Sequence, residues 1–128
     1  MSVSPDIIDR LWERTEPFVF ITRAQFDQTL VGWDIESHEI DGGLHYVTLV
    51  KGPEFHFDIL SEKRPFTMHR VRACLKPILK RYGYVTTRTP KRESRQQRFN
   101  KIVGFKRTGE DEFFVHYRMN AEDVRWSR

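Results

Sequence analysis

Between Glu54 and Thr89 the hydrophobic pattern changes period twice, and that double change leaves few folds open to the chain. The stretch "EFHFDIL" alternates, with Phe55, Phe57 and Ile59 on one face and Glu54, His56 and Asp58 on the other, as a half-buried strand does. From Thr67 to Tyr82 the apolar residues Val71, Cys74, Leu75, Ile78, Leu79 and Tyr82 recur at spacings of three and four, which predicts the longest helix of the chain. After Gly83, "YVTTRT" alternates again and is closed by Pro90. Strand, helix and strand in succession set the two strands parallel, because a crossover of this length returns the chain to the same end of the sheet. Pro77 sits inside the helix, where it removes one backbone hydrogen bond and predicts a bend near Ala73 or an early stop.

The flanking segments supply the rest of the order. "PDIIDRLWER" places Ile7, Ile8, Leu11 and Trp12 on one helical face, with Pro5 and Asp6 suited to a first turn. Thr22 and Gln25 have capping-box spacing ahead of Phe26, Leu30 and Trp33, and that second helix stops near Gly32. "WDIESHEI", a turn at "DGG" and "LHYVTLV" then make a hairpin. Beyond Pro90, Ser94 with Gln97 offers a second capping box for a helix ending at Gly104, and "FKRT", "GEDE" and "FFVHYRM" make a last hairpin. The expected architecture is a single α/β domain over 1–128, a mixed sheet with helices on both faces.

Charge is unevenly placed. From Lys63 to Arg107 lie 15 of the 22 basic residues and one of the 18 acids, Glu93, a local balance of +14 against −10 for the remainder. A segment so charged calls for an anionic partner, such as a phosphate-bearing ligand or nucleic acid, unless the acidic half of the chain neutralises a solvated basic face. Arg70, Arg72, Lys76, Lys80, Arg81, Arg88, Lys91, Arg92, Arg95 and Arg98, interleaved with Tyr82, Tyr84 and Phe99, have the composition of a nucleic-acid footprint, although no recognised motif accompanies them. The single cysteine, Cys74, rules out an internal disulfide and is expected to be a buried thiol in a reducing, cytoplasmic setting. No run approaches the ~18 apolar residues that a bilayer requires, and "MSVSPDIIDRLWER" is not a secretory leader, so neither export nor membrane spanning is expected.

The order of elements, and the phrase "FNKIVGF" at the end of the helix after the "YVTTRT" strand, resemble the GCN5-related N-acetyltransferase superfamily, whose corresponding helix ends in an aromatic, Tyr, two variable residues, Leu, Gly and Phe. "TRTPKRESRQQRFNKIVGFKRTGEDEFFVHY" further resembles small phage-encoded members; the likeness covers roughly Glu54 to Met119. It implies a GNAT-like sheet with splayed central parallel strands, acetyl-CoA or CoA as cofactor, an amine as acceptor, and a location in host cytoplasm or virion. The implied cofactor segment runs from Asp58, Ile59 and Leu60 at the strand end through Lys63, Arg64, Phe66, Thr67, Met68, His69 and Arg70 at the helix start, where free backbone N–H groups favour a pyrophosphate. Ser94 and Asn100 complete it from the later helix, while Lys91, Arg92 and Arg95 lie within reach of an adenosine-side phosphate.

Three positions depart from the family pattern. Aligned on Arg64, the glycines of the pyrophosphate loop are replaced by Thr67 and His69, whose side chains crowd the closest approach of backbone to phosphate. The helix-opening Asn is Ser94, and the Tyr that often protonates the departing thiolate is Asn100, an amide that gives up no proton at neutral pH. The proton acceptor for the amine is therefore sought on the polar strand face, in His56 first, because histidine titrates nearest neutrality, and then in Glu54. The same alternation also describes a solvated strand. Glu54, His56 and Asp58 lack the further ligand that a metal site needs, so none is expected. Two alternatives stay open from the sequence: a fold kept as a scaffold without catalysis, serving as a structural or interaction component of a phage particle, and a module that binds nucleic acid or another anion.

Overall fold

A computed structural model of the chain describes residues 5–40, 43–59, 68–124 and 126. In chain order the elements are α1 (Pro5–Thr15), α2 (Arg23–Thr29), β1 (Asp34–Ile40), β2 (Gly43–Lys51), β3 (Glu54–Ile59), α3 (Met68–Tyr82), β4 (Tyr84–Pro90), α4 (Ser94–Val103), β5 (Lys106–Glu110) and β6 (Phe114–Asn120). The six strands lie in the order β1-β2-β3-β4-β6-β5. β1 with β2, β4 with β6 and β5 with β6 pair antiparallel, and β3 with β4 parallel, as the double change of period requires. The chain divides into two units. One holds α1, α2, β1, β2 and the end of β3; the other holds the start of β3 and everything from α3 onward.

The first unit is built on the amphipathic faces read from the sequence. Leu11, Phe26, Val47 and Leu49 form its buried cluster, with Ile7, Ile8, Trp12, Leu30, Trp33 and Ile35 packed around it. Each of the four buried side chains stabilises by roughly 1.5–3 kcal/mol. The capping box at α2 is present in full: Thr22 Oγ1 accepts from the Gln25 amide at 3.1 Å, and Gln25 Oε1 accepts from the Thr22 amide at 2.8 Å. Asp41 and Gly42, the expected turn of the first hairpin, lie outside the described residues.

In the second unit α3 and α4 pack against one another, and α3 also packs on β4. Under them lie Val71, Leu75, Ile78 and Leu79 of α3, Val85, Thr87 and Thr89 of β4, Val103 of α4, and Val115, Tyr117 and Met119 of β6. α3 runs through Pro77 rather than stopping there, because the proline lies on the exposed side while Leu75, Ile78 and Leu79 anchor the turns around it. Gly104 ends α4 with φ +125°, a conformation that disfavours any side chain; a Cβ there would stand 3.5 Å from both Met119 and Val124.

Three sequence expectations change. Cys74 is half-buried rather than core. Tyr82, at the last position of α3, is 39% exposed and carries Arg81 over its ring at 5.4 Å. Ser94 and Gln97 do not form a capping box: Glu93 is the N-cap, and Gln97 Nε2 instead donates to the carbonyls of Pro90 at 3.1 Å and Lys91 at 2.8 Å, tying the helix to the end of β4.

The β5–β6 turn is held by Asp111. Its Oδ1 accepts from the amides of Phe113 at 2.9 Å and Phe114 at 2.8 Å, and its Oδ2 lies 2.7 Å from His116 Nε2. The Phe114 amide first, then His116 and the Phe113 amide, lower its pKa to about 2. A carboxylate whose folded pKa lies below its unfolded one lends stability above the unfolded value and loses it as pH falls through the folded value. Asp111→Asn is therefore expected to melt below wild type at pH 7, with the gap closing as pH falls from 4 toward 2. Thermal melts across that range check it, and a gap that stays constant would refute the charge-based account.

Candidate functional site

β3 carries the polar face on which the sequence placed the chemistry; Glu54 belongs to the second unit, and His56 and Asp58 to the first. In the second unit Glu54 stands opposite Thr86 in the parallel ladder, and Thr86 N–H donates to the Pro53 carbonyl at 2.9 Å. Paired residues share a sheet face, so Glu54, Thr86 and Arg88 point the same way. Arg88 Nε lies 3.3 Å from Glu54 Oε2, with the two side chains 45% and 28% exposed. Glu54 is therefore held in an ion pair with Arg88.

In the first unit His56 is half-buried with its ring edge-on to Trp33, centroids 5.3 Å apart. Asp58, also half-buried, has its carboxyl pushed above the ordinary carboxylate range by burial, which outweighs the opposing pull of Arg14 and His56. A carboxyl so placed holds a proton to higher pH than usual and can carry one to a leaving group. Phe55 and Phe57, on the opposite strand face, are buried as expected.

Of the implied cofactor segment, Leu60, Lys63, Arg64, Phe66 and Thr67 lie outside the described residues, and Ile59 is described as part of β3 only. Met68, His69 and Arg70 form the first turn of α3, the latter two exposed, and that turn contains no acid. Ser94 is exposed in the first turn of α4, which contains no acid and follows Glu93 at the N-cap, whose side chain does not cap the helix. The first turn of α3 thus offers N–H groups and a positive dipole end with no acid of its own, whereas α4 carries the Glu93 carboxylate at its N-cap. Lys91 Nζ is 3.7 Å from Glu110, a loose surface pair.

Asn100 is placed differently from the rest. It is 2% exposed, its Nδ2 donates to Thr89 Oγ1 at 2.8 Å, and its Oδ1 accepts from Gln96 Nε2 at 3.1 Å. Its carbonyl also accepts from the amides of Gly104 and Phe105. The side chain is a bolt between α4 and β4. Nothing in the local spacing showed this beyond the four-residue interval from Gln96, at which two polar side chains on a helix can meet.

Sequence reasoning missed the Asp111–His116 pair and the stacking of Arg118 on Tyr84 at 4.1 Å. An aspartate at the start of a turn was the available signal for the first; the second depends on strand register. Among the described residues no three His, Cys, Asp or Glu side chains are grouped to hold a metal ion, and no helix is long and apolar enough to cross a membrane.

No protein-family model matches the chain, and no curated protein is significantly similar to it. Solved structures are similar to it in fold. An N-acetyltransferase from Campylobacter jejuni, PseH, in complex with acetyl coenzyme A, is 10% identical with a TM-score of 0.63, covering 93% of each chain. The GNAT domain of PAT from S. lividans is 8% identical with a TM-score of 0.61, over 92% of this chain and 87% of that one. The ribosomal-protein-S18-alanine N-acetyltransferase of Escherichia coli is 10% identical with a TM-score of 0.57, over 94% and 91%. The chain has the fold of the GCN5-related N-acetyltransferases, a mixed six-stranded sheet with four α-helices.

Proposed function

We propose that the chain is an acetyl-CoA-dependent N-acetyltransferase. The observation that carries the proposal is the fold, shared over 93% of the chain with an N-acetyltransferase in complex with acetyl coenzyme A. The residues present suit the cofactor's charge. His69 and Arg70 on the acid-free first turn of α3, and Ser94 at the start of α4, would receive its phosphates. When bound, acetyl-CoA supplies a thioester activated toward an amine. Within the first unit His56 would accept a proton and Asp58, on the same strand face, would supply one; in the second unit the Asn100 amide, bonded in the core, has none to give.

Titration calorimetry with acetyl-CoA at low and high salt tests the binding, and free-thiol release in the presence of small amines tests the transfer. Saturable binding that weakens with salt, together with amine-dependent thiol release, is the expected result. Absence of heat with millimolar acetyl-CoA at low salt overturns the proposal.

A further inference from the structure

β4 and β6 are two-faced strands. One face of each is buried under α3 and α4, while the other carries Tyr84 and Arg88 on β4 and Phe114, His116 and Arg118 on β6, all exposed or half-exposed. Register places Arg118 between Thr86 and Lys106, so the guanidinium and the ammonium stand directly opposite one another on this face. Two like charges so paired destabilise a sheet unless an anion lies over them.

The guanidinium groups are held in a particular way. Arg118 lies over the Tyr84 ring at 4.1 Å and spends its Nε on Asn120 Oδ1 at 2.8 Å. Arg88 lies over the Phe114 ring at 5.3 Å and directs its Nε toward Glu54 at 3.3 Å. In both, a ring fixes the plane and a protein oxygen takes the inner edge. The outer edge, with its terminal nitrogens, is left to meet an oxyanion in two-point fashion.

We propose that this sheet face binds single-stranded nucleic acid, with phosphates taken by Arg88, Lys106 and Arg118 and bases stacked on the Tyr84–Arg118 and Phe114–Arg88 pairs. An acidic peptide would use the cations but has no flat π-surface to lay on the two stacked pairs, and a duplex keeps its base faces covered. The partner's charge also matches the +14 carried between Lys63 and Arg107. This surface belongs to the second unit alone and does not depend on acetyl transfer.

The test is fluorescence anisotropy of a labelled oligothymidylate and a labelled oligouridylate, titrated with the full chain over a range of salt. Wild type is expected to bind at low salt. The double variant Lys106→Gln/Arg118→Gln is expected to lower the salt slope by about 1.4, two phosphate contacts at ~0.7 each. Tyr84→Leu, which keeps an apolar side chain on the strand, should weaken binding about tenfold by removing the stacking plane. The charge-matched control Lys51→Gln/Lys101→Gln, both exposed and neither on this sheet face nor in the footprint read from the sequence, should bind as wild type does. Circular dichroism confirms that each variant is folded. No anisotropy change at low salt, an equal loss in the control, or displacement by polyglutamate as effective as by unlabelled oligonucleotide would each overturn the proposal.

Discussion

Asn100→Leu is expected to lower the melting temperature by about 10 °C, although the substitution removes no volume from the core. The amide is 2% exposed and donates to Thr89 Oγ1 while accepting from Gln96 Nε2. Leucine takes away both partners and leaves the Thr89 hydroxyl, itself 2% exposed, without its donor. An unsatisfied buried polar group costs about 1–3 kcal/mol, and two lost hydrogen bonds reach the upper part of that range. Asn100→Tyr, which restores the hydroxyl expected from the family resemblance, should destabilise further, since overpacking adds ~1–3 kcal/mol to the same loss. Differential scanning calorimetry of both variants decides the matter. A tyrosine variant as stable as wild type would show that the position opens onto free space and that Asn100 is no bolt.

His56→Ala is expected to reduce turnover by about 10²-fold while leaving acetyl-CoA affinity unchanged, because a positioned base contributes that much and more to proton transfer. The effect should fall on kcat rather than on the cofactor's Kd, since histidine acts on the amine and not on the phosphates. Asp58→Asn should also depress turnover, and for a separate reason. Burial raises the pKa of its carboxyl, which favours the protonated form that could donate, whereas the amide has no such proton. Glu54→Gln should cost less than either, as Glu54 is already paired with Arg88. Steady-state kinetics with acetyl-CoA and an amine acceptor, beside calorimetry for the cofactor, separates these outcomes. Turnover unaffected by His56→Ala would leave the polar face of β3 as a solvated strand and remove the assigned roles.

Local signals carried much of the architecture, and the reason is geometric. Side chains on a strand alternate and those on a helix repeat at 3.6, so Phe55 with Phe57, and Val71 with Leu75 and Ile78, announce both the element and its inward face. Thr22 and Gln25 state a helix start in the same way, because a cap is made within three residues. The capping box expected at Ser94 shows where such reasoning fails. Gln97 had two carbonyls of the preceding turn within reach, and a competing acceptor close in space outweighed the spacing in sequence.

The sequence by itself determined the order of elements, the parallel β3–β4 pair and the basic surplus of the second half, since each follows from periodicity, crossover length or a count of charges. Only the tertiary structure decided what individual polar residues do. Asn100 meets Thr89 from eleven residues away, Glu54 meets Arg88 across a parallel pair, and Arg118 meets Tyr84 and Lys106 through the register of three strands. A charge or an amide has no preferred partner along the chain. Its role is set by whichever group the fold brings within ~3–4 Å, and that distance is a property of register and packing, not of sequence spacing.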